Sequence, residues 1–447
     1  MLQLHPDNPH YLLFRGKATA LVGSGEHYGA VLNRDFDYVR YLDAVKADGF
    51  NQVRIFSGTY REVPGSFSIA NNTLAPSATG FVCPWARSDT PGETLGGNKF
   101  DLRRYDPAYF ARLKDFIAEA GARGVVVEFV FFCVLYDEAL WHACPMWAGN
   151  NMNGVGDFES GRVRPWPYPY TLEGNDLLPI QLDFVRKIAG ELREFDNVYY
   201  EIINEPYKTG PHLEWQHSVI GALVEAESSF PSRHLIAQNF GMKSVKISDP
   251  HPAVSIFNFH YSDAASALDN YHLNKVVAHD EDGSEGQTIA PYRKRAWAFM
   301  LSGGAIVSHL DYSFTVERPD GTSPIGGETP GSGGVELRRQ LRILKEFIES
   351  YNFLRLRPDS SLVVGGVPEG ASAHALSDPA KAYAIFLNGG AQAELELAIP
   401  AGRYRAEWIN THTGAAETLR AFDHTGGAKF LASPPYSEDI ALRVRRE

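Results

Sequence analysis

The chain has 447 residues, of which 44% are hydrophobic, 21% are charged and 12% are aromatic. This length can form one large α/β domain with a smaller second domain, and the composition is typical of a globular protein. The formal net charge of -12 at pH 7 argues against nucleic acid as a partner, because binding to phosphates requires clustered Lys and Arg.

The N-terminal segment, residues 1–17, has no basic stretch followed by a continuous apolar stretch. No run of about 18 apolar residues occurs in the sequence, so no membrane span is predicted. We therefore expect a cytoplasmic protein that is not exported and does not bind a membrane. The same sequence would belong to a secreted or periplasmic protein if an export signal had been trimmed from it.

Eight short apolar runs predict β-strands, and longer segments, several with helical periodicity, follow them. Runs of this kind are typical of parallel strands that are covered on both faces. The runs cover residues 19–24, 51–56, 125–132, 197–203, 234–239, 254–260, 275–280 and 305–309.

Four segments have the apolar spacing of amphipathic helices. The clearest helix is predicted to begin at Pro107, with Asp106 as its capping residue, and to end at Gly121 and Gly124. Weaker helical patterns cover residues 241–247 and 262–273. The apolar stripes of the four helices are Phe36, Val39, Leu42 and Val45; Phe110, Leu113, Phe116, Ile117 and Ala120; Leu178, Leu182, Val185, Ile188 and Leu192; and Leu337, Leu341, Leu344 and Ile348.

The alternation of eight strands with helices predicts a (β/α)8 TIM barrel, an α/β fold, over residues 1–355. A doubly wound open sheet is the alternative, but it usually has a glycine-rich phosphate loop after its first strand. The sequence GSGEHY at residues 23–28 lacks that spacing. From about residue 358 onward, apolar alternation between turns predicts a small all-β sandwich, so the second domain covers residues 356–447.

Two long connections, residues 57–104 and 133–177, follow the second and third predicted strands. Loops of this length are usually either functional or disordered, and their tryptophans argue against disorder. We expect these loops to form the walls of a cleft at the C-terminal face of the barrel, where such barrels hold their functional residues. The tryptophans are Trp85, Trp141, Trp147 and Trp166.

Polar side chains at the C-terminal ends of the predicted strands form the candidate functional site. Functional residues of a barrel cluster at this face, so a ring of polar groups is expected around one mouth. The ring consists of Glu26 and His27 after the first strand, Arg54 on the second, Asn204 and Glu205 after the fourth, Gln238 and Asn239 on the fifth, His260 and Tyr261 on the sixth, His279, Asp280, Glu281 and Asp282 on the seventh, and His309 and Asp311 on the eighth.

Glu205 and Glu281 are the candidate catalytic pair. A single carboxylate after a strand often only caps the next helix, but the fourth and seventh strands lie nearly opposite each other in a barrel. Cleavage of a glycosidic bond with retention requires two carboxyls about 5 to 5.5 Å apart, one protonated and one ionised. Arg54 would keep a nucleophilic carboxylate ionised, and that negative charge would raise the pKa of the acid.

Three motifs in this order resemble clan A glycoside hydrolases, particularly the family-five cellulase-like group. They are Asn204-Glu205-Pro206, His260-Tyr261 and the segment KVVAHDEDG at residues 275–283. The resemblance covers about residues 18–315. It implies that Glu205 is the acid/base, that Glu281 is the nucleophile, that Asn204 contacts the sugar 2-hydroxyl and that Tyr261 donates to Glu281. It also implies a carbohydrate substrate and no cofactor.

The chain departs from that family at the eighth strand, where SHLDYSF at residues 308–314 replaces a sugar-stacking tryptophan. The C-terminal sandwich resembles accessory β-domains that follow such barrels, among them those described as collagen-binding. At the seventh strand, alternation predicts that Asp280 and Asp282 face one side and Glu281 the other, so these neighbours cannot share a role. The resemblance of KVVAHDEDG to the strand pattern of that clan implies that Glu281 is the nucleophile, and its side chain reaches further into the mouth than that of an aspartate.

We therefore predict a retaining glycoside hydrolase that cleaves a β-type O-glycosidic bond in an oligo- or polysaccharide by double displacement. One alternative is a barrel that binds carbohydrate without turnover. The other is a metal-dependent hydrolase with His279, Asp280 and Asp282 as ligands, since imidazole and carboxylates suit divalent ions.

Several ring residues also have a structural interpretation. Arg54 can serve as a structural ion-pair partner, His260 as a satisfied core histidine, and Glu26 and His27 as helix-capping groups of the first loop. The predicted substrate-binding residues are Glu26, His27, Arg54, Trp85, Trp141, Asn204, His260, Tyr261 and Asp311.

Overall fold

The computed structural model describes residues 1–157, 169–209 and 213–447. Its largest sheet has eight parallel strands, each beside the next one in the chain, and the eighth pairs with the first. The Asn51 N–H donates to the Val22 carbonyl at 3.2 Å, which joins the first strand to the second and closes the barrel. The predicted barrel and its eight strands are confirmed. The barrel strands are Leu21–Gly25, Gln52–Phe56, Val126–Cys133, Val198–Asn204, Ile236–Met242, Val254–His260, Val276–Glu281 and Ile306–Leu310.

Four predicted helices are confirmed as Tyr38–Ala47, Pro107–Ala122, Leu178–Leu192 and Val335–Glu349. The weaker pattern at 262–273 contains a helix, whereas the pattern at 241–247 is wrong because the fifth barrel strand extends to residue 242 and a loop follows. The remaining helices are Glu138–Ala143, Pro206–Thr209, Leu213–Ala226, Ala264–Asn270 and Ala290–Met300, with short 3-10 turns at Ser66–Ser68, Tyr271–Leu273 and Phe353–Arg355.

Helices Leu213–Ala226 and Ala290–Met300 have no counterpart among the predicted helices. In the second, every residue from Ala296 to Met300 is buried, because the C-terminal sheets cover a face that would otherwise be exposed. A helix that is covered on several sides lacks the single apolar stripe that periodicity detects. Its sequence therefore gave no clear helical signal.

The C-terminal region consists of antiparallel sheets, as predicted for an all-β sandwich. The larger sheet places the last strand of the chain, Asp439–Arg446, between Ala382–Asn388 and Gly402–Ile409. Apolar side chains between the two sheets form a core of their own. The other strands are Arg357–Pro358, Ser372–Asp378, Ala416–Thr418 and Phe422–His424 in the larger sheet, and Val363–Gly365, Glu394–Ala398 and Ala428–Ala432 in the smaller one.

The larger C-terminal sheet packs against the barrel. The ring of Trp297 stacks on Phe386 with their centroids 5.4 Å apart. Arg293, which is buried, donates to the Asp439 carboxylate and to Gln340 Oε1, the latter at 2.8 Å. The domain boundary between residues 355 and 356 stays a prediction, and the start of the first strand of this region at Arg357 is compatible with it.

The first long loop contains a hairpin of Trp85–Pro91 and Asn98–Tyr105. A small N-terminal sheet of Gln3–Leu4, Leu12–Phe14 and Lys17–Thr19 precedes the barrel. Trp166, a predicted cleft residue, lies outside the described residues. None of the helices in the described part of the chain is long and apolar enough to cross a membrane.

Candidate active site

A cavity of about 450 Å³ opens where the barrel strands end, a volume typical of small-molecule sites. Residues that end or follow all eight barrel strands form its wall. Its lining residues are His27, Tyr28, Phe56, Tyr60, Glu62, Phe67, Ile69, Leu74, Cys133, Tyr136, Asn204, Glu205, Lys208, Met242, Tyr261, Glu281, Ser284, Glu285, Leu310, Tyr312 and Pro330.

Glu205 and Glu281 face each other across this cavity. One carboxylate oxygen of each, together with a ring nitrogen of His260, forms a group whose atoms lie within 4.8 Å of one another. Both carboxylates are largely buried, with 6% and 7% of each residue exposed. The geometry thus brings together the two residues of the predicted catalytic pair in a site that a small ligand can enter.

Glu281, the last residue of the seventh strand, is surrounded by donors. Arg54 Nη1 and the Tyr28 hydroxyl donate to Oε2 at 2.9 and 3.0 Å, and the Tyr261 hydroxyl donates to Oε1 at 3.3 Å. Burial alone would raise the pKa of Glu281, but the charge of His260, the charge of Arg54 and the Tyr28 hydrogen bond lower it. The carboxylate is therefore held in its ionised form.

Glu205 follows the fourth strand and accepts hydrogen bonds from two tyrosines. The Tyr136 hydroxyl donates to Oε2 at 2.6 Å and the Tyr207 hydroxyl to Oε1 at 2.7 Å. Burial raises the pKa of Glu205, the hydrogen bond from His260 lowers it, and the negative charge of Glu281 raises it again. With His260 protonated, the net effect of these groups is to lower the pKa of Glu205.

His260 lies between the two carboxylates at the end of the sixth strand. Its Nδ1 is 3.3 Å from Oε1 of Glu205 and 3.3 Å from Oε1 of Glu281, and its Nε2 is 3.6 Å from Asp280 Oδ1. Burial disfavours the imidazolium, but the surrounding carboxylates raise the pKa of His260 well above its ordinary value. The ring therefore holds a proton between the two candidate catalytic groups.

Arg54 connects the two carboxylates from beneath the cavity. It donates directly to Glu281, and its Nη2 donates to Oδ1 of Asn204 at 2.8 Å. Asn204 Nδ2 in turn donates to the Tyr136 hydroxyl at 3.0 Å, which donates to Glu205. A shift of the guanidinium would therefore disturb both catalytic candidates.

Three further carboxylates, Glu128, Glu201 and Asp280, lie under Arg54 inside the barrel. Arg54 Nη2 donates to both oxygens of Glu201, and Asn258 Nδ2 contacts all three acids at 2.6 to 3.0 Å. Burial raises the pKa of Glu128 well above its ordinary range and that of Asp280 to about 7. Protonation of these acids thus limits the negative charge of the cluster. The hydrogen bonds from Arg54 to Glu201 fix the guanidinium in place.

Three residues of the site have left-handed backbone conformations. Tyr28, Glu205 and Tyr261 have φ of 56°, 54° and 48°. This region is unfavourable for residues other than glycine, and such strain is concentrated at functional sites. Each of the three follows the end of a barrel strand, so the strained turn directs its side chain into the mouth.

Four predicted substrate-binding residues lie away from the cavity. Glu26 organises the first loop, because its carboxylate accepts from the Gly29 and Ala30 N–H groups and from the Thr73 hydroxyl. Asp311, Trp85 and Trp141 are buried elsewhere. Asp311 accepts hydrogen bonds from Arg338 and Ser313, and the ring of Trp85 packs against Phe184. His27, Arg54, Asn204, His260 and Tyr261 lie at or directly beneath the cavity.

The predicted alternation at the end of the seventh strand is wrong. A register shift between the pairs Phe259–His279 and His260–Glu281 inserts an extra residue. Asp280 consequently points into the barrel towards Asn258, and Glu281 reaches the mouth.

His279 and Asp282 lie on the helix side of the strand, away from Asp280. The ring of His279 contacts the ring of Phe299, and its Nε2 lies 3.5 Å from Asp282 Oδ2. Asp282 also forms an ion pair with Arg295. Within the described part of the chain, these three residues do not form a group of converging metal ligands. The group that does converge at the mouth is Glu205, His260 and Glu281.

Three tyrosines that hold the carboxylates were not among the predicted site residues. Tyr28 and Tyr207 stand next to predicted ones, directly after His27 and two residues after Glu205. Because both tyrosines follow the ends of predicted strands, they could have been predicted as site residues from the sequence. Tyr136 lies three residues beyond the third strand, in a loop whose path the sequence does not specify.

No model of a protein family matches the chain, and no curated protein matches it either. Solved structures do resemble it. A candidate glycoside hydrolase and a family 5 glycoside hydrolase, both from Bacteroides vulgatus ATCC 8482, share 16% and 15% identity with TM-scores of 0.68 and 0.66. The alignments cover 100% of this chain and 82% and 92% of theirs. A third structure, named only as a glycoside hydrolase, shares 15% identity over 100% of this chain and 97% of its own, with a TM-score of 0.65. At such identities the likeness shows a common fold.

Proposed function

We propose that the protein is a retaining glycoside hydrolase that acts on β-type O-glycosidic bonds. The observation that carries this proposal is the approach of Glu205 and Glu281 to within 4.8 Å of each other in a cavity at the mouth of the barrel. Retaining enzymes hold their carboxyls about 5 to 5.5 Å apart, whereas inverting enzymes leave about 6.5 to 9.5 Å for a water molecule. The shared fold with solved glycoside hydrolases supports the same function.

In the proposed first step, Glu281 attacks the anomeric carbon while Glu205 donates a proton to the leaving oxygen. The bond from the anomeric carbon to that oxygen breaks, and a glycosyl ester of Glu281 forms. In the second step, Glu205 removes a proton from water, whose oxygen attacks the same carbon and releases Glu281 as a carboxylate. Arg54 and Tyr28 suit Glu281 to this role because they stabilise its ionised form.

Glu205 must hold a proton before the first step. We infer that this proton comes from Nδ1 of His260, which lies 3.3 Å from Oε1 of Glu205. Once His260 is neutral, its hydrogen bond no longer lowers the Glu205 pKa, whereas burial and the Glu281 charge still raise it. A low pKa in the free site is therefore compatible with an acid role in the substrate complex.

His27, Asn204 and Tyr261 are the proposed substrate contacts from the predicted set, because they line the cavity. Arg54 and His260 act through the carboxylates instead, since each is buried beneath them. Contact of Asn204 with the sugar 2-hydroxyl stays a prediction.

The direct test is the configuration of the first-formed product. Purified protein is mixed with a panel of aryl β-glycosides, and the anomeric protons of the sugar are followed by NMR before mutarotation. The proposal predicts that the β-anomer appears first, and that Glu281→Gln releases no sugar. Early α-anomer would indicate inversion. Binding without turnover by the unaltered protein would favour the non-catalytic carbohydrate-binding alternative.

A further inference from the structure

The two sides of the cavity have different chemistry, and the proposed roles of the carboxylates assign one side to each half of the substrate. The acid protonates the leaving oxygen, so the aglycone lies beside Glu205. The sugar that is attacked lies over Glu281. Glu205 follows the fourth strand and contacts Tyr136 beyond the third, whereas Glu281 ends the seventh strand and contacts Tyr28 beyond the first.

The side next to Glu281 includes several polar groups beside the buried Leu310. The Tyr261 hydroxyl lies 3.0 Å from Ser284 Oγ, which lies 3.3 Å from the Tyr312 hydroxyl. His27 Nε2 lies 3.7 Å from a carboxylate oxygen of the buried Glu62. These groups can exchange hydrogen bonds with the hydroxyls of a sugar.

The side next to Glu205 includes an exposed aromatic residue, Phe67. Its ring lies edge-to-face on Tyr136 with the centroids 5.2 Å apart, and Tyr136 is the residue that donates to Glu205. Although it lines the cavity, 46% of Phe67 is exposed to solvent. An apolar ring at this position is available for contact with whatever group leaves past Glu205.

The backbone at Phe67 and at the residue after it is strained. Phe67 has φ 53° and ψ 19°, and the next residue, Ser68, is also left-handed with φ 59°. Such a conformation is unfavourable for a residue other than glycine and is concentrated at ligand-contacting segments. Here the strained turn presents a ring to the cavity rather than to the core.

Met242 provides a second exposed apolar group on this side. It ends the fifth strand, pairs in register with His260, and is 39% exposed while lining the cavity. Methionine is flexible and polarizable, so it adapts to apolar ligands of different shape. Lys208, also exposed, adds one positive charge to the same wall.

From this asymmetry we propose that the leaving-group side of the cavity binds an apolar aglycone, alkyl or aryl, on Phe67 and Met242. The inference rests on the proposed hydrolase function and narrows its substrate class to β-glycosides whose sugar is joined to an apolar group. Clustered hydroxyl and carboxylate groups bind the sugar, whereas an exposed phenyl ring and a thioether side chain remove apolar surface of the aglycone from water.

The test compares leaving groups on one sugar. Glucosyl, galactosyl, mannosyl and xylosyl β-fluorides identify the sugar that reacts fastest, and that sugar is then supplied as its fluoride, its octyl β-glycoside and a β-linked disaccharide. Fluoride has no aglycone to bind, so each kcat/KM is divided by the value for the fluoride. The variants are Phe67→Ala and, as a matched control, Phe430→Ala, which removes a phenyl ring that is 55% exposed on the C-terminal sheets.

We expect Phe67→Ala to lower the octyl-to-fluoride ratio by about tenfold, the factor that ~1.4 kcal/mol of transition-state stabilisation represents. The disaccharide-to-fluoride ratio should fall by less, and Phe430→Ala should change neither ratio. Turnover of the fluoride with an unchanged octyl ratio, or with a larger loss for the disaccharide, would overturn the aglycone inference alone. No turnover of any fluoride would overturn the proposed hydrolase function, and this inference with it.

Discussion

A carboxylate oxygen of Glu205 and one of Glu281 lie within 4.8 Å of each other across the mouth of the barrel. The two side chains differ in what holds them. Both carboxylates accept from tyrosine hydroxyls and lie 3.3 Å from His260, but Glu281 also accepts from the permanent cation of Arg54. In the proposed mechanism, this difference would allow Glu281 to attack as an anion and Glu205 to transfer a proton.

Replacement of Glu205 by glutamine should separate substrates by leaving group. Poor leaving groups require a proton donor, so their hydrolysis should fall by at least about 100-fold, whereas aryl glycosides with activated leaving groups should lose less in the glycosylation step. The measurement is kcat/KM for alkyl and dinitrophenyl glycosides of one sugar. Glu369→Gln, an exposed change in a turn of the C-terminal region, is the control. Equal losses on both substrates would exclude the acid role.

Tyr28→Phe should alter the pH dependence of the reaction. The Tyr28 hydrogen bond lowers the pKa of Glu281, so its removal raises that pKa and moves the acidic limb of kcat/KM to higher pH. The rate on the plateau should fall by about tenfold, as expected for one hydrogen bond to a charged group. Tyr383→Phe, which removes a buried hydroxyl from the C-terminal sheets, should leave the profile unchanged. An unshifted acidic limb in Tyr28→Phe would argue against Glu281 as the ionised nucleophile.

Glu26 provides a prediction about stability rather than catalysis. Burial raises its pKa from 4.5 to about 7, in spite of the hydrogen bonds from Thr73, Ala30 and Gly29. Between these pH values the folded state keeps a proton that the unfolded state releases, so the free energy of unfolding falls as pH rises. The change is about 3 kcal/mol at most.

Glu26→Gln should remove this decline, because an amide does not titrate. Whatever constant loss the amide causes, the stability of the variant relative to the unaltered protein should rise between pH 4.5 and pH 7 and stay level above it. Denaturant unfolding of both proteins across this range measures the difference. Parallel stability curves would show that Glu26 titrates normally.

Removal of metal ions should leave activity unchanged. The proposed chemistry requires only two carboxyls, and the donors on Glu281 include the cation of Arg54. The comparison is kcat before and after exhaustive EDTA treatment, with metal content verified by elemental analysis. A loss that Zn²⁺ or Mn²⁺ restores would favour a metal-dependent hydrolase, with the converging group of Glu205, His260 and Glu281 as its ligands.

The barrel could be predicted from sequence because its strands are buried on both faces. Each appears as a short apolar run, as in Val126–Cys133, where every residue is buried. The helix Ala290–Met300 was missed for a related reason, since the C-terminal sheets cover it and remove its amphipathic stripe. The periodicity of apolar residues in a helix reflects which of its faces are exposed to solvent. Contacts between domains change that exposure and so remove the pattern.

The candidate site was predictable where it is built on strands and unpredictable where it is built on loops. Asn204, Glu205 and Glu281 follow directly from strand ends. Tyr136 and Phe67 reach the cavity through loops, and Trp85 and Trp141 pack into the core, because the path of a long loop depends on contacts that no local pattern encodes. The register shift before Glu281 could not be predicted either, because it depends on how the seventh strand pairs with the sixth.

Azide rescue tests the central claim most directly. Glu281→Ala removes the carboxylate that attacks the anomeric carbon and leaves space there. A small anion can then attack the same face of the sugar in place of that carboxylate. Activated β-glycosides should be almost inert to this variant in buffer, and azide should restore turnover with the α-glycosyl azide as product. Asp280→Ala and Asp282→Ala, whose side chains face the barrel interior and the helix side, should show no such rescue. Rescue in either aspartate variant, or no rescue in Glu281→Ala that is folded by circular dichroism, would contradict the assignment of Glu281 as the nucleophile.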